Sequence, residues 1–384
     1  MKDINIPFHK THLSDEMIDG VVEAMKSGWL TMGPKTIEFE REFKRYIGAD
    51  FTVSMNSATA ALHLALKAVG LKQEDEVIIP TTTFVATAEV VTYFNAIPVL
   101  CDIEKRTHNI DVSKIEALIT KKTKAIIVVH FAGQPCDMDE IYKISQKYGL
   151  SVIEDAAHAL PSKYKGVMIG SLKGTDITCF SFYATKTLST GEGGMSVTDN
   201  KEYAESMSIN RLHGLSRNAW NRYDSKGSWY YDVLDNGNKY NTTDICSAIG
   251  LVQLKKQNEL QSKRVNIATK YSDAFSANVN ITVPYIKSDR ETSWHLYVIK
   301  VKNRDGIFDD LKRAGVNCSV HFIPVHKHTY YKNKYDYKND DYANANEVFE
   351  TSLSLPIYPD MTEEDIEYVI NKVIKVVDSY NTLV

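Results

Sequence analysis

"CFSFYATKTLSTGEGGM", residues 179–195, ends an apolar run at Phe182, offers a single lysine at position 186, and sets Gly191, Gly193 and Gly194 around Glu192. The run from Ile177 to Phe182 is short, apolar and followed by turn formers, so it reads as a buried strand. Glycines at 191, 193 and 194 let the backbone turn tightly and come close to another group. Lys186 is open to two readings: a solvated loop side chain, or a desolvated amine. A desolvated amine loses its proton readily and forms a Schiff base with a carbonyl.

The same rhythm runs outward in both directions. "FTVSM", "EVIIP", "IPVLCD", "KAIIVVHF", "LSVIED" and "MSVTD" read as further buried strands, with amphipathic helical segments between most of them. This alternation predicts an α/β fold with a mainly parallel central sheet covered by helices on both faces. Near the start, Ser14 is placed to cap a helix whose apolar face is expected to be Met17, Ile18, Val21, Val22 and Met25, with Gly28 ending it. Residues 218–241, rich in aromatics, Gly and Asn, read as a long excursion. A long helical pattern from about residue 243 leads into a less regular last third. The expected division is a large domain over 1–250 and a smaller C-terminal α/β domain over 251–384.

Composition narrows the function classes. Hydrophobic residues at 43% and charged residues at 24% place the chain among folded globular proteins rather than disordered ones. A net charge of −4 with interspersed signs offers no basic stripe for nucleic acid and no polybasic flank for a membrane surface. Apolar stretches such as "AIIVV" (125–129) are far too short to span a bilayer, and the first residues lack a continuous apolar segment. Five scattered cysteines (Cys101, Cys136, Cys179, Cys246, Cys318), never in a C-x-x-C pair, argue against a disulfide framework and a zinc site. The expectation is a cytoplasmic protein that holds no metal and acts on small molecules.

In open parallel sheets ligands bind beyond the carboxyl ends of the strands. After Met55, the run Ser57, Ala58, Thr59 opens a helix with small side chains and free N–H groups. It reads either as an ordinary capped helix or as a seat for phosphate. Asp155 follows a strand among alanines, where it is either an ion-paired capping residue or a carboxylate waiting for a cationic ligand group. His158, three residues on, has a packed, hydrogen-bonded imidazole as its plain alternative. A phosphate seat, a carboxylate able to hold a pyridinium N–H and a lysine able to form an imine together meet the needs of pyridoxal 5′-phosphate.

Over nearly its whole length the chain resembles the DegT/DnrJ/EryC1/StrS family of nucleotide-sugar aminotransferases, pyridoxal phosphate enzymes of fold type I. The resemblance is carried by "SGWLTMGPKTIEFEREF", "NSATAALHLAL", "TTTFVATAEVV", "HFAGQPCDMDEI", "IEDAAHAL", "FSFYATKTLSTGEGG", "KYNTTDICSAIGLVQL", "SWHLYVI", "VHFIPVHKHTYY" and "SLSLPIYPDMTEEDIEYVI". It implies that Lys186 holds the cofactor as a Schiff base, Asp155 pairs with the pyridine nitrogen, His158 lies near the ring hydroxyl and Phe84 stacks on the ring. The phosphate would be held by the backbone at Ala58 and Thr59 and by the Ser181 hydroxyl. A homodimer with shared active sites is implied, in which the segment carrying Lys239 and Asn241 reaches the partner's cofactor. The chain departs from many members in having "GNKYN" where they carry G-Y-N-Y-R, and Tyr183 where a histidine is common three residues before the lysine. Tyr183 is an implied substrate contact, and His321 and His326 either line the sugar or nucleotide pocket or are packed histidines of the smaller domain.

The activity implied is transfer of an amino group from L-glutamate, leaving 2-oxoglutarate, through pyridoxamine phosphate to a nucleotide-linked keto sugar. The favoured acceptor is a UDP-linked 4-keto-6-deoxy (N-acetyl)hexose aminated at C4, for surface polysaccharide, lipopolysaccharide or glycan. UDP-4-ketoarabinose, GDP- or dTDP-linked 4-keto sugars and C3 amination are the alternatives. A pyridoxamine phosphate-dependent dehydratase would carry histidine in place of Lys186, and a non-catalytic regulator would show a DNA-binding motif and basic charge, neither of which is evident.

Overall fold

The computed structural model describes residues 4–216 and 231–381, so the excursion expected at 218–241 lies outside the described residues as far as residue 230. The chain opens with α1 (Asp15–Lys26) and α2 (Pro34–Ile47). There follow β1 (Phe51–Met55), α3 (Ala58–Ala68), β2 (Glu76–Pro80), α4 (Val85–Thr92) and β3 (Ile97–Cys101). Next come α5 (Val112–Leu118), β4 (Thr123–Val129), α6 (Met138–Tyr148), β5 (Ser151–Asp155), β6 (Ile177–Ser181), β7 (Gly194–Thr198) and α7 (Lys201–Asn210). The seven strands are those expected from the apolar runs, and they form one sheet in the order β1-β7-β6-β5-β4-β2-β3. Only β7 runs against its neighbours, pairing antiparallel with both β1 and β6. The sheet is therefore mixed but mostly parallel.

Successive residues of a strand face opposite sides of a sheet, and here both sides are buried. Ile79, Ile127, Ile153 and Cys179 pack with α3, α4 and α7 on one face. Ile78, Ile126, Val152 and Phe180 pack with α2 and α6 on the other, together with the start of α8 (Asp244–Phe275). Burial on both faces is why each strand reads as a continuous apolar run instead of an alternating one.

The first helix corrects one expectation. α1 buries Met17 and Ala24, while Ile18, Val22 and Met25 are exposed, and the Ser14 hydroxyl makes no capping bond. The periodicity located the helix and the residue before it, but α1 meets α8 through Met17 and the small residue Gly20. Gly20 sits over Ala248, with ideal Cβ contacts of 3.7 Å and beyond. The larger apolar residues of α1 are left facing outward.

Residue 250 lies inside α8, whose 32 residues run from one core to the next. Leu251 and Leu254 pack on the large sheet, whereas Ile267, Ala268, Tyr271 and Phe275 belong to a C-terminal core. That core is built on an antiparallel pair, β8 (Tyr297–Lys300) and β9 (Ser352–Leu355), and is covered by α9 (Arg304–Arg313) and α12 (Glu363–Asn381). Ile6, from the beginning of the chain, bridges to Val316 and is buried there. Two helices between β8 and β9 in sequence, α10 (Thr329–Tyr335) and α11 (Ala343–Thr351), return to the large sheet through Tyr331, Ala345 and Val348. No helix among the described residues is long and apolar enough to cross a membrane.

Candidate active site

Six strands end at one edge of the sheet, and β7 begins there. Register places Gly194 opposite Met55 on one side and Ser181 on the other. The chain therefore gathers the start of α3, the residues after β5 and the Lys186 loop around one cavity of about 610 Å³. Ala58, Thr59, Phe84, Asp155, His158, Ser181, Tyr183, Lys186 and His321 all line it.

The α3 side is built to receive an anion. Ser57 caps the helix by accepting the Ala60 N–H at 3.1 Å. The N–H groups of Ala58 and Thr59, in the first turn, have no intrahelical acceptor and lie at the positive end of the helix. The Ser181 oxygen accepts the Tyr183 N–H at 3.4 Å, while its own O–H has no acceptor among the described residues. A Cβ on residue 194 would lie 2.4 Å from the Ser57 carbonyl oxygen and 2.7 Å from the Ala58 nitrogen. Only glycine lets β7 lie this close to the helix start. We expect Gly194→Val to weaken pyridoxal phosphate binding by about 100-fold or more, since the cradle must open to admit the side chain. Fluorescence titration of the apoenzyme measures this, and unchanged affinity would show that the cradle does not hold the phosphate.

Asp155 stands at the last position of β5. Its Oδ2 accepts the Thr87 hydroxyl at 2.7 Å and its Oδ1 the Ala157 N–H at 3.1 Å. Thr87 spends its one proton on Asp155, so the 2.7 Å contact between Thr83 and Thr87 has Thr83 as donor. Burial raises the Asp155 pKa, and the hydrogen bonds from Thr87 and Ala157 and the charges of Lys186 and His130 oppose the rise. A carboxylate so buried gains from a cationic N–H placed against its remaining lone pair. Thr87 lies 68 residues away in sequence and was not legible there. We expect Thr87→Val to raise the Asp155 pKa by removing a hydrogen bond to the charged form, shifting the acid limb of activity up by about one pH unit. A pH–rate profile reads the shift, and an unmoved limb would leave Thr87 as packing only.

Lys186 follows a turn in which its own N–H donates to the Tyr183 carbonyl at 2.9 Å. By surface area the residue is partly open to the cavity, yet its amine lies deep among protein groups. Burial lowers its pKa to about 8, with the Asp155 charge opposing the shift. The loop then closes through Gly191, whose φ of +82° favours glycine, and Phe182 donates to the Gly193 carbonyl at 2.8 Å.

His158 is buried and its Nδ1 has no hydrogen-bond partner among the described residues. Its ring stacks on Phe322 (5.8 Å between centroids, 24° between planes) and lies 4.3 Å from that of His295, which also lines the cavity. Burial first, and then the Lys186 charge, hold the His158 pKa well below its ordinary value, so the imidazole is neutral. His321 is lowered to about 4 by burial and by Lys186, and its Nδ1 meets the Ser354 hydroxyl at 2.9 Å. Phe84 is 59% exposed, with its ring in the cavity 6.0 Å from that of Phe322.

Three expected residues lie elsewhere. His326 is buried outside this lining, its ring nitrogens meeting Thr81 Oγ1 at 2.7 Å and Asn346 Oδ1 at 3.0 Å. Lys239 and Asn241, at the end of the excursion, do not line this chain's own cavity. Asn241 donates to the Thr242 carbonyl, and its Oδ1 is buried without a partner. Conversely, His295 and Phe322 stand in the runs "SWHLYVI" and "VHFIPVHKH", but nothing in their spacing assigns them to the site.

The residues present fit pyridoxal phosphate. A helix start that only glycine lets the sheet approach suits the phosphate, a buried carboxylate with a free lone pair suits the ring nitrogen, and an orphaned imidazole nitrogen suits a ring hydroxyl. A desolvated amine suits the aldehyde. Fold and site together define a pyridoxal phosphate-dependent aminotransferase of fold type I. The sequence model of the DegT/DnrJ/EryC1/StrS aminotransferase family matches residues 11–374, and the chain belongs to that family. It is 46% identical to the spore coat polysaccharide biosynthesis protein SpsC of Bacillus subtilis, covering 96% of each chain. Among solved structures it resembles the putative sugar aminotransferase Spr1654 of Streptococcus pneumoniae. That protein is known in pyridoxamine and pyridoxal phosphate forms, and the match to the former has a TM-score of 0.92 at 34% identity over 98% of this chain and 100% of that one. It also resembles PseC of Helicobacter pylori, an aminotransferase involved in the biosynthesis of pseudoaminic acid, with a TM-score of 0.90 at 29% identity over 98% and 100%.

Proposed function

We propose that the protein moves an amino group from L-glutamate to C4 of a UDP-linked 4-keto-6-deoxy (N-acetyl)hexose, making an amino sugar for a surface polysaccharide or glycan. One observation carries the reading: Lys186, Asp155 and the start of α3 meet in a single cavity whose opposite wall, His321 and Phe322, comes from the C-terminal part of the chain. The likeness to SpsC and PseC supports a sugar acceptor, and C4 is the position that the family resemblance favours.

On this reading Ala58, Thr59 and Ser181 hold the cofactor phosphate, Asp155 accepts the ring N–H, His158 Nδ1 meets the ring hydroxyl and Phe84 covers the ring. Bound pyridoxal phosphate supplies an electron sink for the charge left on a substrate carbon and carries the amine between the two substrates. Lys186 moves the proton. With a pKa near 8 its amine would take a proton from the donor's Cα as base and, as acid, deliver it to the cofactor carbon that bears the transferred nitrogen, and both protonation states are within reach near neutral pH. Asp155, kept ionised by Thr87 and Ala157, holds the ring nitrogen protonated. Tyr183 and His321 orient the sugar, and Phe322 helps exclude water.

Residues 1–250 form the cofactor domain and 251–384 the smaller domain, with Ile6 crossing to the latter. The enzyme is a cytoplasmic homodimer. Exposed Ile18, Val22, Met25, Leu30 and Ile37 supply apolar surface for the second copy, and Lys239 and Asn241 serve the partner's cofactor. The test is optical. Excess L-glutamate should bleach the yellow of the cofactor bound to Lys186, and after its removal one nucleotide keto sugar, added singly, should restore it. Restoration by a UDP-4-keto-6-deoxyhexose supports the acceptor proposed, and restoration only by a GDP-, dTDP- or pentose-linked sugar replaces it. Failure of glutamate to bleach would overturn the donor.

A further inference from the structure

We propose that a second cavity, of about 200 Å³, is a binding site for a small organic anion: a carboxylate or phosphate group on a short apolar body. It lies between the segment after β3, the turn after β4 and the stretch from Thr282 to Lys300.

Two cations line it without a compensating carboxylate. Neither Arg106 nor Lys300 has an acidic partner at ion-pair distance among the described residues. The nearby acids are otherwise engaged: Glu347 pairs with Lys105 at 2.5 Å, and Glu104 accepts the N–H groups of Arg106 and Thr107 at 3.0 and 2.7 Å. Burial, and then repulsion from Lys105 and Arg106, lower the Lys300 pKa, with Glu347 and Glu104 opposing. An anion would relieve that repulsion. The Arg106 guanidinium lies 3.6 Å over the Tyr285 ring, which fixes its planar donors at the cavity wall.

A third group points the same way. His108 is 6% exposed, lines the cavity and has no side-chain hydrogen bond among the described residues. Its ring packs on Phe131 at 5.1 Å, and burial keeps it uncharged near neutral pH, so it can donate one N–H to a ligand.

The backbone around the cavity is held in an uncommon form. His108, Ala132 and Trp294 all line it with φ of +63°, +56° and +51°, in the left-handed region that non-glycine residues seldom occupy. Such conformations persist where the surroundings over-determine them, and they gather at ligand sites. The cavity shares Leu296 with the active site, and Phe131 meets Phe322 edge-on at 6.4 Å. The two sites are therefore neighbours divided by an apolar wall.

Calorimetric titration of the pyridoxal phosphate-loaded enzyme tests the site directly, whatever the acceptor sugar is. Succinate and inorganic phosphate are the probes, because neither undergoes transamination and the cofactor's own phosphate seat is already filled. We expect at least one probe to bind, and Arg106→Ala with Lys300→Met to weaken that binding at least tenfold while the bound cofactor's absorbance stays unchanged. Tighter binding of succinate would identify a dicarboxylate site, and tighter binding of phosphate a phosphate-ester site. Binding of neither probe would overturn the proposal. So would binding that survives the double substitution and is displaced by L-glutamate, since that places the anion in the active site.

Discussion

Lys186→Ala yields a folded protein whose turnover falls by about 10⁴-fold or more, because on the proposed mechanism one substitution removes both the attachment point of the cofactor and the group that moves the proton. Pyridoxal phosphate still binds in the cradle of Ala58, Thr59 and Ser181, but without the absorbance of a lysine-linked cofactor. Stability should not suffer. The wild-type amine sits where its charged form is poorly solvated, lowering its pKa from 10.5 to about 8. The unfolded chain therefore holds more protons than the folded one between about pH 8 and 10.5, and apoenzyme stability rises with pH across that window. The variant should lack that rise. By the same argument, the rate at which wild-type apoenzyme captures pyridoxal phosphate should increase with pH and level off above about pH 8. Denaturant titrations at several pH values and stopped-flow absorbance read these effects, and substantial turnover in the variant would remove Lys186 from the centre of the mechanism.

Asp155→Asn should slow turnover by about 10²- to 10⁴-fold with little change in fold. The amide keeps nearly the same shape but carries no charge, so on the proposed mechanism nothing holds the ring nitrogen protonated and the electron sink is weakened. The wild-type carboxylate is buried against its own preference, with a pKa raised by desolvation, and the Thr87 and Ala157 donors keep it available as an anion. Losing the charge therefore relieves the apoenzyme while impairing the loaded one. A thermal shift on adding pyridoxal phosphate should be smaller for the variant than for wild type, even where the apo forms are equally stable. Wild-type rates in Asp155→Asn would reassign the residue to capping.

Much of the site was legible because the fold places its chemistry at strand ends. Buried parallel strands announce themselves as short apolar runs, and the polar residues that follow them, Ser57, Asp155, Ser181 and Lys186, fall at one sheet edge whatever the strand order. The glycines at 191 and 194 were legible as a turn and a close approach. That Gly194 approaches the start of α3 depends on β7 lying beside β1, a pairing across about 140 residues. The α1 face was misjudged for a related reason: periodicity fixes a helix's angles but does not say which side meets α8.

The sequence by itself determined the seven strands, the α/β class and the reactive groups, since these follow from local pattern and from the chemistry of each side chain. The tertiary structure alone decided the company they keep. It set Thr87 on Asp155, His295 and Phe322 against His158, and His326 between Thr81 and Asn346 outside the cavity. It also drew Arg106, His108 and Lys300 around a second cavity. Each of these contacts joins residues about 20 to 250 positions apart. Strand order and domain packing bring them together, and local periodicity carries no record of either.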